Sequence, residues 1–425
     1  MPSMPEVRSR TRSRLMAARP PTVEALREPS AVLAINGGSS SIRFAVYAAS
    51  ESPRRLLDGK IDQIGVRGTR LIVNDLAGKQ QVHRRLAAPD HVTAMGTLLS
   101  WLEAQPVFSS VKAVGHRVVH GMRHSEPEPI TPKLLAELRR LTPYAPDHLP
   151  REIRLIEALR KRHPTLPQVA CFDTAFHRAM PKVAKLLPIP RRYAAKGVER
   201  YGFHGLSYSY LREELTRLGD PAATKGRVIL AHLGNGASMA AVRDGEGTDT
   251  SMGFTPTAGL VMSTRSGDLD PGLAYYLART EQMTVRRFQQ LVTRESGLLG
   301  VSGISSDLRD LLAREADDVR AAEAVALFCY QAKKCIGSYA AALGGLDVLV
   351  FAGGIGENAP LIRTRICDGL GFLGIALDQT LNAQNAPLIS RDGQRVRVRV
   401  VPTNEELMIA RSVCRVLDLS ANRKA

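Results

Sequence analysis

The sequence predicts an α/β protein of two similar lobes facing a shared cleft, and three observations carry that reading. The first is Ala31 to Tyr47, AVLAINGGSSSIRFAVY, where apolar runs at Val32–Ile35 and Ile42–Tyr47 flank Asn36, Gly37, Gly38, Ser39, Ser40 and Ser41. Apolar and β-branched residues on either side of small turn-formers read as strand, tight turn, strand. Glycines let backbone approach a bulky anion, serines add hydroxyl donors, and successive N–H groups form a concave anion site. Taken alone, the stretch fits an ordinary hairpin with a soluble tip equally well. The second observation is a partial echo in Arg227–Gly245, RVILAHLGNGASMAAVRDG, where Gly234 and Ser238 each lie 197 positions after Gly37 and Ser41 (234−37 and 238−41). The third is the length of 425 residues, too much for one small core and natural for two domains. Two such hairpins nearly half a chain apart point to two similar domains, each offering a phosphate-holding turn.

Composition sets the outer limits. Apolar residues make up 44% and charged residues 23%, an ordinary soluble balance. The net charge is +17, from 58 basic and 41 acidic residues. The basic residues are mostly arginines scattered along the chain, with no zinc-finger spacing, aromatic RNA-binding run or basic helix to collect them. Attraction for anionic small molecules explains the charge as well as nucleic acid does, and no nucleic-acid partner is expected. Cys171, Cys329, Cys335, Cys367 and Cys414 form no CxxC pair and no zinc spacing, so buried thiols in a reducing cytoplasm are expected. The most apolar long stretch, Ile336–Gly356, is broken by Asp347 and several glycines, so no membrane association is expected. Residues 1–30 are rich in Arg, Pro and Ser and lack a sustained apolar period. They read as a disordered tail, with an organelle transit peptide as the minor alternative and no secretory segment.

Along the chain, Lys60–Ala87 alternates in short strand-like runs, and Val92–Ala104 has a helical period with Trp101 as a core residue. Val111–His120, VKAVGHRVVH, reads as a buried strand carrying His116, Arg117 and His120. An arginine inside such a strand is costly unless it faces an anion or a carboxylate, so Arg117 is expected to face substrate, with a structural ion pair as the alternative. Leu134–Leu141 reads as a short helix and Tyr144–Pro150 as a Pro-bounded loop presenting His148. Val169–His177 ends a buried strand on Asp173, Thr174 and His177, where catalytic side chains tend to be displayed. Arg200–Ser207 is a Gly-punctuated loop with His204, and Asp249–Gly272 is a long polar segment with Arg265 as a candidate to reach the cleft. Helical patterns run on to Gly344, and Val348–Asn358 is strand into Gly loop, followed by a helix opened by Asn358 and Pro360. A strand at Arg395–Val401 and a final helix with Glu405 and Glu406 in its first turn complete the pattern. Neither a Walker GxxxxGK[ST] nor a GxGxxG motif occurs, which removes P-loop and Rossmann nucleotide sites.

Nine motifs taken jointly resemble the acetate/propionate kinase family: NGGSSS (36–41), GHRVVHG (115–121), FDTAFH (172–177), RYGFHG (200–205), HLGNGAS (232–238), DTSMGFTP, TRSGDLDP, GGIGEN (353–358) and PTNEEL (402–407). They run in the family's order from about residue 31 to 410. The resemblance implies the duplicated ribonuclease H-like fold of actin, sugar kinases and Hsp70. Its lobes would span 31–173 with 406–425, and 174–405, the latter binding nucleotide and pairing into a homodimer. It implies reversible transfer from ATP to acetate or propionate, giving ADP and an acyl phosphate, with Mg²⁺ or alternatively Mn²⁺.

Residue by residue, the resemblance implies that Asn36 and Glu405 help hold the metal, as oxygen ligands suit a hard ion that keeps several waters. Arg43, Ser39, Ser41, His232, Leu233, Gly234, Asn235 and Gly236 would lie along the phosphates. Asp307, Leu308 and Arg309 would lie by the nucleoside, with Gly354, Ile355, Gly356, Glu357 and Asn358 lining the adenine pocket. Arg117, His148, Val119, Phe203 and Pro256 would take the carboxylate, and Asp173, His204 and Arg265 would be catalytic. A carboxylate acceptor is already ionised at neutral pH, so Asp173 is expected to position Mg²⁺ or an arginine rather than remove a proton. A hydroxyl acceptor on the same fold would instead need Asp173 as base, and a non-catalytic nucleotide switch is the other alternative.

Three departures from the family pattern stand out. Arg43 replaces the usual lysine, Arg123 stands where an acidic residue normally follows, and Asp147 replaces an apolar wall of the acyl pocket. A compensating Asp147–Arg123 pair is expected, together with an acid preference shifted from acetate toward something larger or more polar.

Overall fold

The computed structural model describes residues 30–38, 41–65, 68–74 and 80–419. Ser39 and almost all of the expected N-terminal tail lie outside the described residues. Two mixed sheets organise the rest. The first contains β1 (Ala31–Gly37), β2 (Ile42–Ala48), β3 (Arg54–Asp62), β4 (Arg70–Asn74), β5 (Gln80–Arg85), β6 (Val111–Val118), β7 (Glu128–Pro129) and β8 (Gln168–Phe172). Its order is β5-β4-β3-β2-β1-β6-β8-β7. The second contains β9 (Arg227–Leu233), β10 (Ala237–Arg243), β11 (Glu246–Thr250), β12 (Val348–Ala352) and β13 (Arg397–Val400), in the order β11-β10-β9-β12-β13.

The duplication suggested by the two hairpins is explicit in this topology. The run β3-β2-β1-β6-β8 is antiparallel, antiparallel, parallel, parallel, and β11-β10-β9-β12-β13 repeats it step for step. Both first strands are buried on both faces, as expected where helices cover each side of a sheet. In β1 the alternate residues Ala31, Leu33 and Ile35 pack with the helix His91–Glu103, while Val32 and Ala34 pack with the helix Glu405–Val416. In β9, Ile229, Ala231 and Leu233 face the long helix Val319–Leu343, and Val228 and Leu230 face the helix Gly205–Arg217. This is the α/β two-domain actin-like fold that the resemblance implies.

The helix Glu405–Val416 leaves the second sheet and lies on the first. Its seat requires Gly115 in β6, because a Cβ there would stand 2.3 Å from Ile409 and 2.6 Å from Val413. That close approach delivers Glu405 and Glu406 to the ends of the first sheet's strands.

Some local expectations are corrected. GGIGEN is a helical turn, Gly353–Asn358, rather than a loop; the next helix, Pro360–Cys367, starts after Ala359, and the Asn358 side chain bonds back to Gly354 O at 3.0 Å. The Pro-bounded loop ends at His148, because Leu149 and Pro150 already open the helix Leu149–Arg162. Trp101 is half-buried at the edge of the core beside Phe44. All five cysteines are unpaired, four of them buried and Cys335 half-buried. Among the described residues no helix is long and apolar enough to cross a membrane.

Candidate active site

The parallel ladder of the first sheet sets one half of the site. Arg117 pairs with Cys171 across β6 and β8, and Asp173, one residue beyond β8, donates its N–H to Val118 O at 2.9 Å. Both side chains therefore emerge at the same carboxyl edge, where α/β sheets place ligands. Asp173 Oδ2 accepts a bond from Arg117 Nε at 3.0 Å and a second from Nη2. Glu405 Oε2 lies 4.0 Å from the same Nε. Asn36, near the end of β1, donates to Glu405 Oε2 at 2.7 Å and to Glu406 Oε1 at 3.0 Å. Burial works against the Arg117 charge, yet Asp173 and Glu405 together raise its pKa. Burial pushes the Asp173 carboxyl up against the pull of Arg117. Burial also acts to raise Glu405, but Arg117, His232 and Arg43 outweigh it and hold that carboxyl down. Asp173 Oδ1 is buried with no hydrogen-bond partner.

The second lobe closes on this edge. His204 has φ 59°, a left-handed conformation costly for a side chain of its size and of the kind stored at functional sites. Its N–H reaches Asp173 Oδ2 at 3.3 Å, and its Nδ1 is bonded to Ser238 Oγ at 2.8 Å. The ring stacks on His232 with centroids 4.3 Å apart. The turn after β9 comes up against the same group: a Cβ on Gly236 would sit 3.0 Å from Arg265 Nη2 and 3.2 Å from His204 Nε2. Gly234 N–H closes that turn on Gly236 O at 3.1 Å, and Asn235 O accepts from Ser263 N–H at 3.2 Å. Leu233 is buried in the core beneath it. Arg265 Nη1 donates to Pro256 O at 2.6 Å, and no described carboxylate pairs with it.

Electrostatics assigns protonation states. Burial, and then Arg265 and Arg117, push His148 down to about 3, and burial with His232 holds His204 well below its ordinary range. Both imidazoles are neutral hydrogen-bonding groups at pH 7, not cations. Burial lowers Arg265 to about 10, which leaves it charged. Asp173, His204, Arg265 and Glu405 thus converge on one gap, with Arg117 and His148 facing it.

The remaining candidates divide. Val119 and Phe203 are buried together in one apolar core. Gly354 N stands 3.8 Å from a Cβ placed on Gly234, so the GGIGEN turn abuts the phosphate-type turn. Glu357 Oε1 holds Gly353 N–H at 2.8 Å and Thr403 N–H at 3.1 Å, and Ile355 packs on the core. Arg43 belongs to the field acting on Glu405, Glu406 and His232, and Ser41 O closes the first turn on Gly38 N–H at 2.8 Å. Asp307 and Arg309 pair with each other at 2.6 Å on the surface, while Leu308 is buried. None of their hydrogen bonds or ion pairs among the described residues reaches the Arg117–Arg265 group.

The expected Asp147–Arg123 pair does not form. Asp147 pairs with Arg294 at 2.8 Å, because its loop faces the second lobe, and Arg123 contributes to the field at Tyr201. Two site residues escaped the sequence reading. Glu152, in the first turn of Leu149–Arg162, is buried, accepts Val119 N–H at 3.0 Å and leaves Oε1 without a partner. Burial, opposed by Arg117, pushes its carboxyl up to about 8. Arg363 is fully buried and fastens the end of the GGIGEN turn through Gly356 O at 2.8 Å and Glu357 O at 3.1 Å. Neither carries a local signal that separates it from a surface residue of its helix.

Comparisons with known proteins identify the chain's relatives. The model of the acetokinase family matches residues 31–411. An acetate kinase of Rhodopseudomonas palustris is 46% identical over 393 residues, covering 91% of this chain and 98% of the relative. A propionate kinase of Citrobacter rodentium is 42% identical over 392 residues, covering 91% and 96%. Among solved structures, Porphyromonas gingivalis acetate kinase superposes with a TM-score of 0.80 at 38% identity, covering 91% of this chain and all (100%) of that one. A Francisella tularensis propionate kinase gives 0.83 at 35% identity, with 90% and 98% covered.

Proposed function

The chain belongs to the acetokinase family, and from that premise we propose that it transfers the γ-phosphoryl group of ATP to a short-chain carboxylate such as acetate or propionate, reversibly. A carboxylate oxygen forms the new bond to phosphorus, the bond from phosphorus to the β–γ bridging oxygen breaks, and no proton moves. One observation carries the reading: Arg117 is locked by Asp173, whereas Arg265 in the opposite lobe has no described carboxylate partner. A fixed cation and an available one face the same gap. That suits an anionic acceptor on one side and a transferring group whose charge spreads over equatorial oxygens on the other.

Each residue then has a task. Arg117 binds the carboxylate, with Asp173 holding its guanidinium plane rather than acting as a base. Arg265 stabilises the transferring group, and neutral His148 and His204 donate or accept at its edge. Val119, Phe203 and Pro256 enclose the alkyl chain. The Gly234–Gly236 turn and the first hairpin with Arg43 and Ser41 lie along the phosphates, His232 supports His204, and the GGIGEN turn and Asp307–Arg309 take the nucleoside.

The donor set fits a hard divalent ion. Asp173 Oδ1 is buried without a partner beside Glu405 and Asn36. Asn36, Asp173 and Glu405 would hold Mg²⁺, or Mn²⁺ in its place, with phosphates and water supplying the other oxygens. When bound, such an ion neutralises phosphate charge. Exposed apolar residues on the helices Gly272–Thr280 and Val285–Gln290, with Tyr275, Tyr276 and Val285 71%, 60% and 88% exposed, support a homodimer that covers them. Free, mostly buried thiols suit a reducing cytoplasm.

Trapping with hydroxylamine tests the reaction, because only an acyl phosphate yields a hydroxamate. Hydroxamate from acetate or propionate with ATP is expected, and ATP binding without it from any short carboxylate refutes the proposal. The same assay across acetate, propionate, butyrate and hydroxy acids ranks the substrates. With Asp147 neutralised by Arg294, a simple alkyl acid is expected to lead.

A further inference from the structure

Asp147 reaches out of its own lobe. Its Oδ1 accepts a bond from Arg294 Nη2 at 2.8 Å, and the Gln289 side chain adds a second hydrogen bond from the same direction. Arg294 lies in the single turn Leu291–Glu295, and that turn is stitched to the segment carrying Arg265. Ser266 N–H donates to Val292 O at 3.0 Å, Thr264 Oγ1 to Thr293 O at 3.0 Å, and Ser296 N–H to Thr264 O at 3.1 Å. Both chain neighbours of Arg265 are thereby bonded to the turn that presents Arg294. On the other side, Asp147 directly precedes His148, whose ring lies in the field of Arg265 and Arg117.

We infer that the Asp147–Arg294 pair is a positioning contact that ties the His148 loop of the first lobe to the Arg265 loop of the second. It sets the spacing of the two groups that face the phosphoryl acceptor. Arg151 lies in the repulsive field of Arg294 and Arg154, and Asp147 is the carboxylate that offsets it there. The pair is partly exposed, at 29% and 58% for the two side chains, so it is weak and salt-sensitive. A weak tie positions the loops without holding the cleft shut against nucleotide.

The inference rests on the carboxylate kinase reading for the roles of His148 and Arg265. Its test is a double-mutant cycle with Asp147→Asn, Arg294→Gln and both together. Rates are measured by hydroxamate formation at about 50 and 500 mM salt, with thermal melts alongside. Each single variant is expected to lose about three- to fivefold in kcat/KM for the carboxylate, matching an exposed pair, with KM for ATP unchanged. The double variant is expected to be no worse than the poorer single one, and salt to weaken wild type more than any variant. Multiplying losses, unchanged single variants, or an activity loss tracked by a lowered melting temperature overturn the inference. A second measurement needs no activity: nitroxide labels on Arg140→Cys and Arg314→Cys report the spacing of the lobes. Arg294→Gln is expected to broaden that distance distribution, and an unchanged one counts against the tie. If wild type makes no hydroxamate while the distribution still broadens, the carboxylate reading fails and the tie stands.

Discussion

Replacing Glu152 by Gln tests whether this buried acid is held in its neutral form. The carboxyl is fully enclosed, one oxygen accepts Val119 N–H at 3.0 Å, and the other has no partner. Burial therefore raises its pKa from an ordinary 4.5 to about 8, with Arg117 opposing. The unfolded chain releases that proton near pH 4.5 and the folded chain only near pH 8. The resulting stability is fully present below pH 4.5 and is lost as pH rises through about 8. At about 1.4 kcal/mol per pH unit over that window, the ceiling is about 5 kcal/mol. Gln keeps an oxygen for Val119 N–H and cannot ionise. Urea unfolding of both proteins at pH 5 and pH 8.5 should show the variant gaining on wild type by a few kcal/mol at the higher pH. Parallel stability curves would refute the reasoning, because they would mean that Arg117 already keeps Glu152 ionised.

Other outcomes follow from the same geometry. Arg265→Ala should lower turnover by about 10³-fold or more while ATP binding measured by calorimetry stays largely intact, as expected for a cation acting on the transferring group. Arg363→Met removes a guanidinium that also donates to Asn382 Oδ1, Asn382 O and Asn385 Oδ1 at 2.8, 2.7 and 2.7 Å. Stranding these buried acceptors should cost about 3–5 kcal/mol in denaturant unfolding and raise KM for ATP more than KM for the carboxylate. Because burial holds His148 near 3, its ring should gain no proton between pH 8 and 5 in the ligand-free protein. Imidazole NMR shifts that titrate in that window would contradict the assignment.

Much of the fold was legible because it is written in local periodicity. The two hairpins, the buried β6 and β8, and the last helix each announce themselves through apolar alternation or spacing within a dozen residues. Arg117 and Asp173 were legible for a related reason: a charge inside or just beyond an apolar strand is conspicuous, and parallel neighbours bring such residues to one edge. The motifs then added family roles that no single stretch could supply.

By itself, then, the order of residues determined two like lobes, the strand ends that carry charge, and the kind of anion chemistry they suit. Tertiary structure alone decided that Asp147 meets Arg294 instead of Arg123, that Glu152 is buried while the exposed Arg309 stays in water, and that Arg363 fastens the GGIGEN turn. Partner choice and burial depend on which surfaces the packed lobes turn toward each other. Those distances run through space and leave no periodic trace along the chain.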